Sequence, residues 1–299
     1  MKIRKILIML VCIAMSLTVL SSYKEKQDIP EEVKEETVVK TIDISGKQME
    51  YFRFGNKEGR KLIILPGLSL KSVMGSAGAV ALAYSDLGSD YDIYLLDHIK
   101  EEPEGYSVED MAEDTYSALK KIGLDKFSIM GVSMGGMIAE IIALKYPESI
   151  ENLILCSTTS RVEDDNKELF ETWKKLAKEK DLNSLMESFG ENIYSPAFYE
   201  QYKDIIISSG DGASDLDYRN FITSIDAIMS FDVYGELENI KCPVFVLGVG
   251  KDRVLGTKAT QDMIDKLGCV YYIYEDGYHG VYDEAADYRS RIKEFLDRN

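Results

Sequence analysis

Two histidines, His98 and His279, are the whole imidazole supply of this 299-residue chain, and Ser133 stands in a G-x-S-x-G pattern, Gly131-Val132-Ser133-Met134-Gly135. A serine hydroxyl is a poor nucleophile until a neighbouring base takes its proton, and imidazole suits that task at neutral pH. The pattern points to acyl transfer: Ser133 attacks a carbonyl, a histidine accepts its proton, and water later releases the acid. A carboxylate is then needed to orient the imidazole and stabilise its charged form.

His279 follows the run VYYIYE and the loop Asp276-Gly277-Tyr278. That places it at the carboxyl end of a strand, where ligands bind in α/β sheets. Asp252 follows PVFVLGVGK, just past another strand end, and completes the chain order serine, acid, histidine. Asp276 lies too close to His279 in sequence to be its natural partner, and Asp164 or Asp165 is the alternative acid. Two N–H groups must face the developing oxyanion. One candidate is Met134, next after the nucleophile; the other is Leu68, which follows Pro66-Gly67 in the loop after KLIILP. An ordinary glycine turn is the competing reading of that loop. His98 follows YDIYLLD and is a candidate pocket residue, with a plain loop residue as the alternative.

These residues need a scaffold of strand ends. FSIMG is a short apolar run before Ser133, and Met134, Met137, Ile138, Ile141 and Ile142 after it fall on one face of a helix that Pro147 ends. KLIILP, YDIYLLD, NLILCS, PVFVLG and VYYIYE read as further strands, most of them unbroken apolar runs of the kind buried on both faces. Ser107 followed by Glu109 and Asp110 caps a helix whose face is Val108, Met111, Thr115, Leu119 and Ile122. VVKTIDISGKQMEYFRFG, turning at Ser45-Gly46, reads as an antiparallel hairpin. Strands alternating with helices predict an α/β fold with a doubly wound, mostly parallel sheet. Residues 161–239 break the alternation with successive helical patterns and read as a helical lid inserted into a core of residues 37–160 and 240–299. Trp173, Phe189, Tyr194, Phe198 and Tyr199 are its candidates for an apolar pocket.

The net charge is −17, and residues 1–22 hold Lys2, Arg4 and Lys5 without an acid. The rest therefore carries 32 basic against 52 acidic residues, with no dense basic block. Such a surface disfavours nucleic acid and anionic lipid as partners. Residues 1–22, a basic start followed by a charge-free apolar run from Ile6 to Leu20, read as a secretory signal peptide or an N-terminal membrane anchor. Residues 23–36 form a charged linker. The expected location is outside the cytoplasm, secreted or tethered. Cys156, Cys242 and Cys269 show neither paired spacing nor a zinc pattern, so no metal or organic cofactor is expected, and one disulfide stays open.

From Thr37 to the C-terminus the chain resembles the α/β-hydrolase superfamily, in particular its small, lid-bearing, esterase-like members. The resemblance rests on LPGL, LLD, the run YSVEDMAEDTYSALKKIGLDKFSIMGVSMGGMIAEIIALKYP, ENLILCSTT, CPVFVLGVGKDRV and GYHG. It implies Ser133 as nucleophile, Asp252 as acid, His279 as base, the Leu68 and Met134 amides as oxyanion hole, and a helical lid. Two features depart from the family. Pro66-Gly67 stands where many members have His-Gly, and HIKEEPEGYS replaces the usual Arg-Gly-x-Gly-x-Ser loop after Asp97. The resulting expectation is a serine hydrolase acting on a small-molecule carboxylic ester with a small or medium acyl group. C–C bond or amide hydrolysis is the alternative within enzymes. A non-catalytic ligand-binding or sensor protein on the same scaffold is the alternative outside them.

Overall fold

The computed structural model describes Val33 and residues 37–299. The expected signal or anchor over 1–22 lies outside the described residues, as does nearly all of the linker. Among the described residues no helix is long and apolar enough to cross a membrane.

The first strands, β1 (Lys40–Ile44) and β2 (Lys47–Gly55), pair antiparallel across a turn in which Ser45 and Gly46 both adopt positive φ, 55° and 90°. Next come β3 (Arg60–Leu65), the short helices α1 (Ala77–Ala83) and α2 (Ser85–Gly88), and β4 (Tyr91–Ile99). The alternation continues through α3 (Val108–Ile122), β5 (Phe127–Val132), α4 (Met134–Lys145) and β6 (Ile150–Cys156). Four helices then follow without a strand: α5 (Asp164–Glu179), α6 (Leu182–Ile193), α7 (Pro196–Ser208) and α8 (Asp215–Ser230). The chain closes with β7 (Val244–Val249), α9 (Thr257–Leu267), β8 (Val270–Tyr274), α10 (Val281–Glu284) and α11 (Tyr288–Arg298).

The eight strands form one sheet in the order β1-β2-β4-β3-β5-β6-β7-β8, antiparallel only at the β1–β2 and β2–β4 pairs. Side chains alternate across it, so Ile63 and Leu65 of β3 join the core under α3, α4, α9 and the inserted helices. Leu62 and Ile64 join the core under α1, α2 and α11. Helix α3 carries the expected capping box of Ser107 and Asp110 and ends at Gly123 in the left-handed conformation. Its faces divide as the sequence indicates. Helix α4 does not: Met134 through Ala143 are all buried, Glu140 included. The single apolar face read from its sequence is in fact a helix enclosed on all sides, by the sheet below and by α3 and the inserted region around it.

Candidate active site

Ser133 occupies the sharp turn between β5 and α4, with φ 53° and ψ −122°. A non-glycine residue in that conformation costs about 1–3 kcal/mol and persists only where its surroundings enforce it. Here the Ser133 N–H donates to the Cys156 carbonyl at 2.9 Å, and the Ser133 carbonyl accepts from Thr158 Oγ1 at 2.7 Å. Space for the turn comes from its glycines. A Cβ on Gly131 would lie 2.2 Å from the Gly135 carbonyl oxygen, and one on Gly135 would lie 2.3 Å from the Leu65 carbonyl oxygen. The G-x-S-x-G spacing is therefore a packing requirement of this elbow.

The structure brings Ser133, His279 and Asp252 together although they come from three separate loops. His279 Nε2 lies 3.1 Å from Ser133 Oγ, and His279 Nδ1 lies 2.9 Å from Asp252 Oδ2. Both the imidazole and the carboxylate are nearly sealed from solvent, with side-chain exposures of 3% and 2%. Asp252 Oδ1 accepts the backbone N–H groups of Val254 and Leu255 at 2.8 and 2.9 Å, which fixes the carboxylate and leaves Oδ2 to the histidine. The other acids weighed from sequence lie elsewhere: Asp276 pairs with Lys251 and Asp164 with Lys167, both at the surface.

The loop after β3 approaches Ser133 closely, since a Cβ on Gly67 would lie 3.0 Å from Ser133 Cβ. Neither the Leu68 nor the Met134 N–H donates to another described residue, so both remain free for a ligand oxygen. The cavity at Ser133 is small, about 20 Å³, and is walled by Leu68, Phe170, Trp173, Phe189, Leu255 and Tyr282. Trp173 is held by its indole N–H donating to Ser188 Oγ at 3.0 Å and by ring contacts with Phe170 and Phe189. Tyr194, Phe198 and Tyr199 do not line this cavity. Tyr194 and Phe198 stack on each other at 4.8 Å, and the Tyr194 hydroxyl donates to Asp283. Tyr199 packs against Gly190 of α6, and none of these placements was readable from aromatic composition.

His98 sits in the last residues of β4 and lines a second cavity of about 250 Å³, together with Ser72, Asp97, Glu102, Met134 and Ser224. Burial holds its imidazole below the ordinary range, only partly offset by Asp97. Glu102 was missed by sequence reasoning, being one charge among several in HIKEEPEGYS. Its burial pushes the carboxyl up to about 8, although Ser224 Oγ donates to it. No group of acids, histidines and cysteines that could hold a metal ion occurs among the described residues.

A family model described as the alpha/beta hydrolase fold matches residues 62–286. A protein of Rhizobium rhizogenes named "Putative carbamate hydrolase RutD" is 25% identical over 239 residues, spanning 76% of this chain and 91% of its own. Among solved structures, MGS-M2, an alpha/beta hydrolase enzyme from a Medee basin deep-sea metagenome library, superposes with a TM-score of 0.78 at 19% identity. That match covers 87% of this chain and 98% of the other. The enol-lactonase of Burkholderia xenovorans superposes with a TM-score of 0.72 at 17% identity, over 86% of this chain and all of its own. At such identities the structures share the fold. The family match spans the strands and loops that carry Ser133, Asp252 and His279, and the chain belongs to the α/β-hydrolase family.

Proposed function

We propose that the protein is a serine hydrolase that cleaves a carboxylic ester through an acyl-enzyme on Ser133. The observation that carries this reading is the unbroken chain of hydrogen-bonding distances from Asp252 through His279 to Ser133, 2.9 and 3.1 Å. Ser133 Oγ attacks the ester carbonyl as His279 Nε2 takes its proton, and Asp252 Oδ2 stabilises the imidazolium at Nδ1. The free N–H groups of Leu68 and Met134 receive the oxyanion, helped by the positive end of α4. His279 then protonates the departing alcohol oxygen. In the second half it takes a proton from water, which attacks the acyl-enzyme and frees Ser133.

The apolar wall of Trp173, Phe170 and Phe189 suits the acyl group. A cavity near 20 Å³ holds roughly one water molecule. Acyl binding therefore requires the inserted helices to shift, and we assign them the role of a lid.

The test is labelling with a fluorophosphonate followed by a panel of 4-nitrophenyl esters from acetate to laurate, with a carbamate and an enol-lactone added because similar proteins carry those names. The expected result is label on Ser133 alone, an optimum at short or medium chains, and loss of at least about four orders of magnitude in kcat for Ser133→Ala. Full ester turnover by Ser133→Ala would sink the proposal. Carbamate turnover above ester turnover would move the substrate class while leaving the nucleophile in place.

A further inference from the structure

The second cavity differs chemically from the one at Ser133. It lies between the end of β4, the segment after it and lid helix α8, on the far side of Met134. Each of its side-chain donors already makes a contact within the protein. Ser69 Oγ donates to the Lys71 carbonyl at 2.8 Å, Ser72 Oγ to Asp97 at 2.6 Å, and Ser224 Oγ to Glu102 at 3.0 Å. Asn220 Nδ2 donates to the Lys100 carbonyl at 2.9 Å, Lys71 Nζ to the Asp211 carbonyl at 2.8 Å, and Lys100 Nζ pairs with Glu50 at 2.6 Å.

The acceptors are not so well served. The buried Glu102 carboxyl meets one side-chain hydroxyl, that of Ser224, 3.0 Å from each of its oxygens. His98 Nε2 is buried, and although the ring approaches the Gly67 backbone, this nitrogen has no hydrogen-bond partner. A buried acceptor left unpaired costs about 1–3 kcal/mol, more when charged. Raised to about 8, the Glu102 carboxyl keeps its own proton near neutral pH; an ammonium beside it, with Glu50, Asp97 and Asp217 on the same lining outnumbering Lys71 and Lys100, displaces that proton to solvent and pairs with the carboxylate.

The cavity also adjoins the reacting centre. Ser69 and Leu70, which line it, continue directly from Gly67 and Leu68 at Ser133. Met134, the residue after the nucleophile, forms part of its wall. Phe221 closes it on the lid side, 6.2 Å between ring centres from the Phe189 that walls the Ser133 cavity. Helix α8 borders both spaces, through Phe221 and Ser224 at the one and Ile228 at the other.

Building on the ester-hydrolase reading, we propose that this cavity is the subsite for a protonated amine carried on the alcohol side of the substrate, held by Glu102 and His98 Nε2. The acyl group then lies against Trp173 and the ammonium reaches past Met134, with the scissile carbonyl between them.

The test compares two butyrate esters of nearly equal shape near neutral pH: 2-(dimethylamino)ethyl butyrate, which is protonated, and 3-methylbutyl butyrate, which is not. The expected kcat/KM ratio favours the cationic ester by about tenfold or more, the rate equivalent of one good charge-assisted contact. Glu102→Gln should bring that ratio close to one. A ratio of one in the wild type, or an unchanged ratio in Glu102→Gln, overturns the proposal. Should the variant not fold, inhibition of wild-type 4-nitrophenyl butyrate hydrolysis decides it. N,N-dimethylethanolamine should compete with substrate where 3-methylbutanol does not, and equal or non-competitive inhibition overturns the subsite. Loss of both ester activities in Ser133→Ala, against loss of the cationic preference alone in Glu102→Gln, keeps the underlying hydrolase reading separate from this one.

Discussion

The two cavities beside Met134 contrast in nearly every physical respect. At Ser133 the space is apolar and almost filled, about 20 Å³, and every polar atom of the Ser133, His279 and Asp252 set has a partner. At Glu102 the space is more than ten times larger, about 250 Å³; His98 Nε2 has no hydrogen-bond partner there, and the Glu102 carboxyl meets only the Ser224 hydroxyl. The first is built by strand ends and the turns that follow them, where backbone geometry is fixed by the sheet. The second is built by a segment after β4 and by lid helix α8, whose partners lie 118 to 122 residues apart in the chain. On the proposed functions, the reacting groups are held rigid and dry, whereas selection is left to a roomier space that a bound group completes.

The contrast is tested most severely by Asp252→Asn. Asp252 Oδ1 accepts two backbone N–H groups, so an asparagine oxygen stays there and its amide NH₂ faces His279 Nδ1. That forces the proton onto Nε2 and aims an N–H, not a lone pair, at Ser133. The expected fall in kcat is about 10³ to 10⁴-fold with little change in KM, measured on a 4-nitrophenyl ester. A loss below tenfold would mean that the reaction centre is no more dependent on fixed geometry than the second cavity.

Trp173→Ala probes the filled side by emptying it. Removing this ring should cost about 3–5 kcal/mol of stability by chemical denaturation. In the same variant the optimum acyl length should move upward by several carbons, with about tenfold relative gain for the longer esters. An unchanged chain-length profile would place the acyl group somewhere other than beside Trp173. Trp173→Phe retains most of the packing and should shift the profile in the same direction by less.

How much of this was legible in the sequence follows the same division. The strand runs, the G-x-S-x-G turn and the loop positions of Asp252 and His279 are local patterns, and local patterns survive without coordinates. The register of a parallel sheet then brings three such loops to one edge, so the arrangement at Ser133 follows from their order. The cavity around Glu102 has no local signal. Glu102 reads as one more charge in HIKEEPEGYS, and Asn220 and Ser224 as the polar face of a surface helix, until the inserted helices pack over them. Aromatic residues of the insertion mislead for a related reason: Trp173 and Phe189 line the cavity at Ser133, while Tyr194 and Phe198 pack toward α10. Helix α4 shows the limit of periodicity, because the charge of Glu140 suggests a solvent face that the fold does not provide.

Glu140 supplies the counterpart to Glu102 on the packed side, since both are buried acids raised to about 8 but only Glu102 faces a cavity. Glu140 is completely buried two turns beyond Ser133, and neither of its oxygens, nor the nearby Ser160 hydroxyl, makes a well-formed hydrogen bond. Burial is the main cause of its raised value. Between its ordinary 4.5 and about 8 the folded protein keeps a proton that the unfolded chain has lost, so stability declines as pH rises through that window. Glu140→Gln removes this contribution and cannot ionise. The variant should match the wild type within about 1 kcal/mol near pH 5 and exceed it by a few kcal/mol near pH 9, read from urea denaturation at both pH values. Glu102 keeps a similar slope in both proteins, so the difference isolates Glu140. Parallel stability curves for the two proteins across that range would show that Glu140 finds a partner or water in solution, and would remove the distinction between a sealed acid beneath Ser133 and one that faces the second cavity.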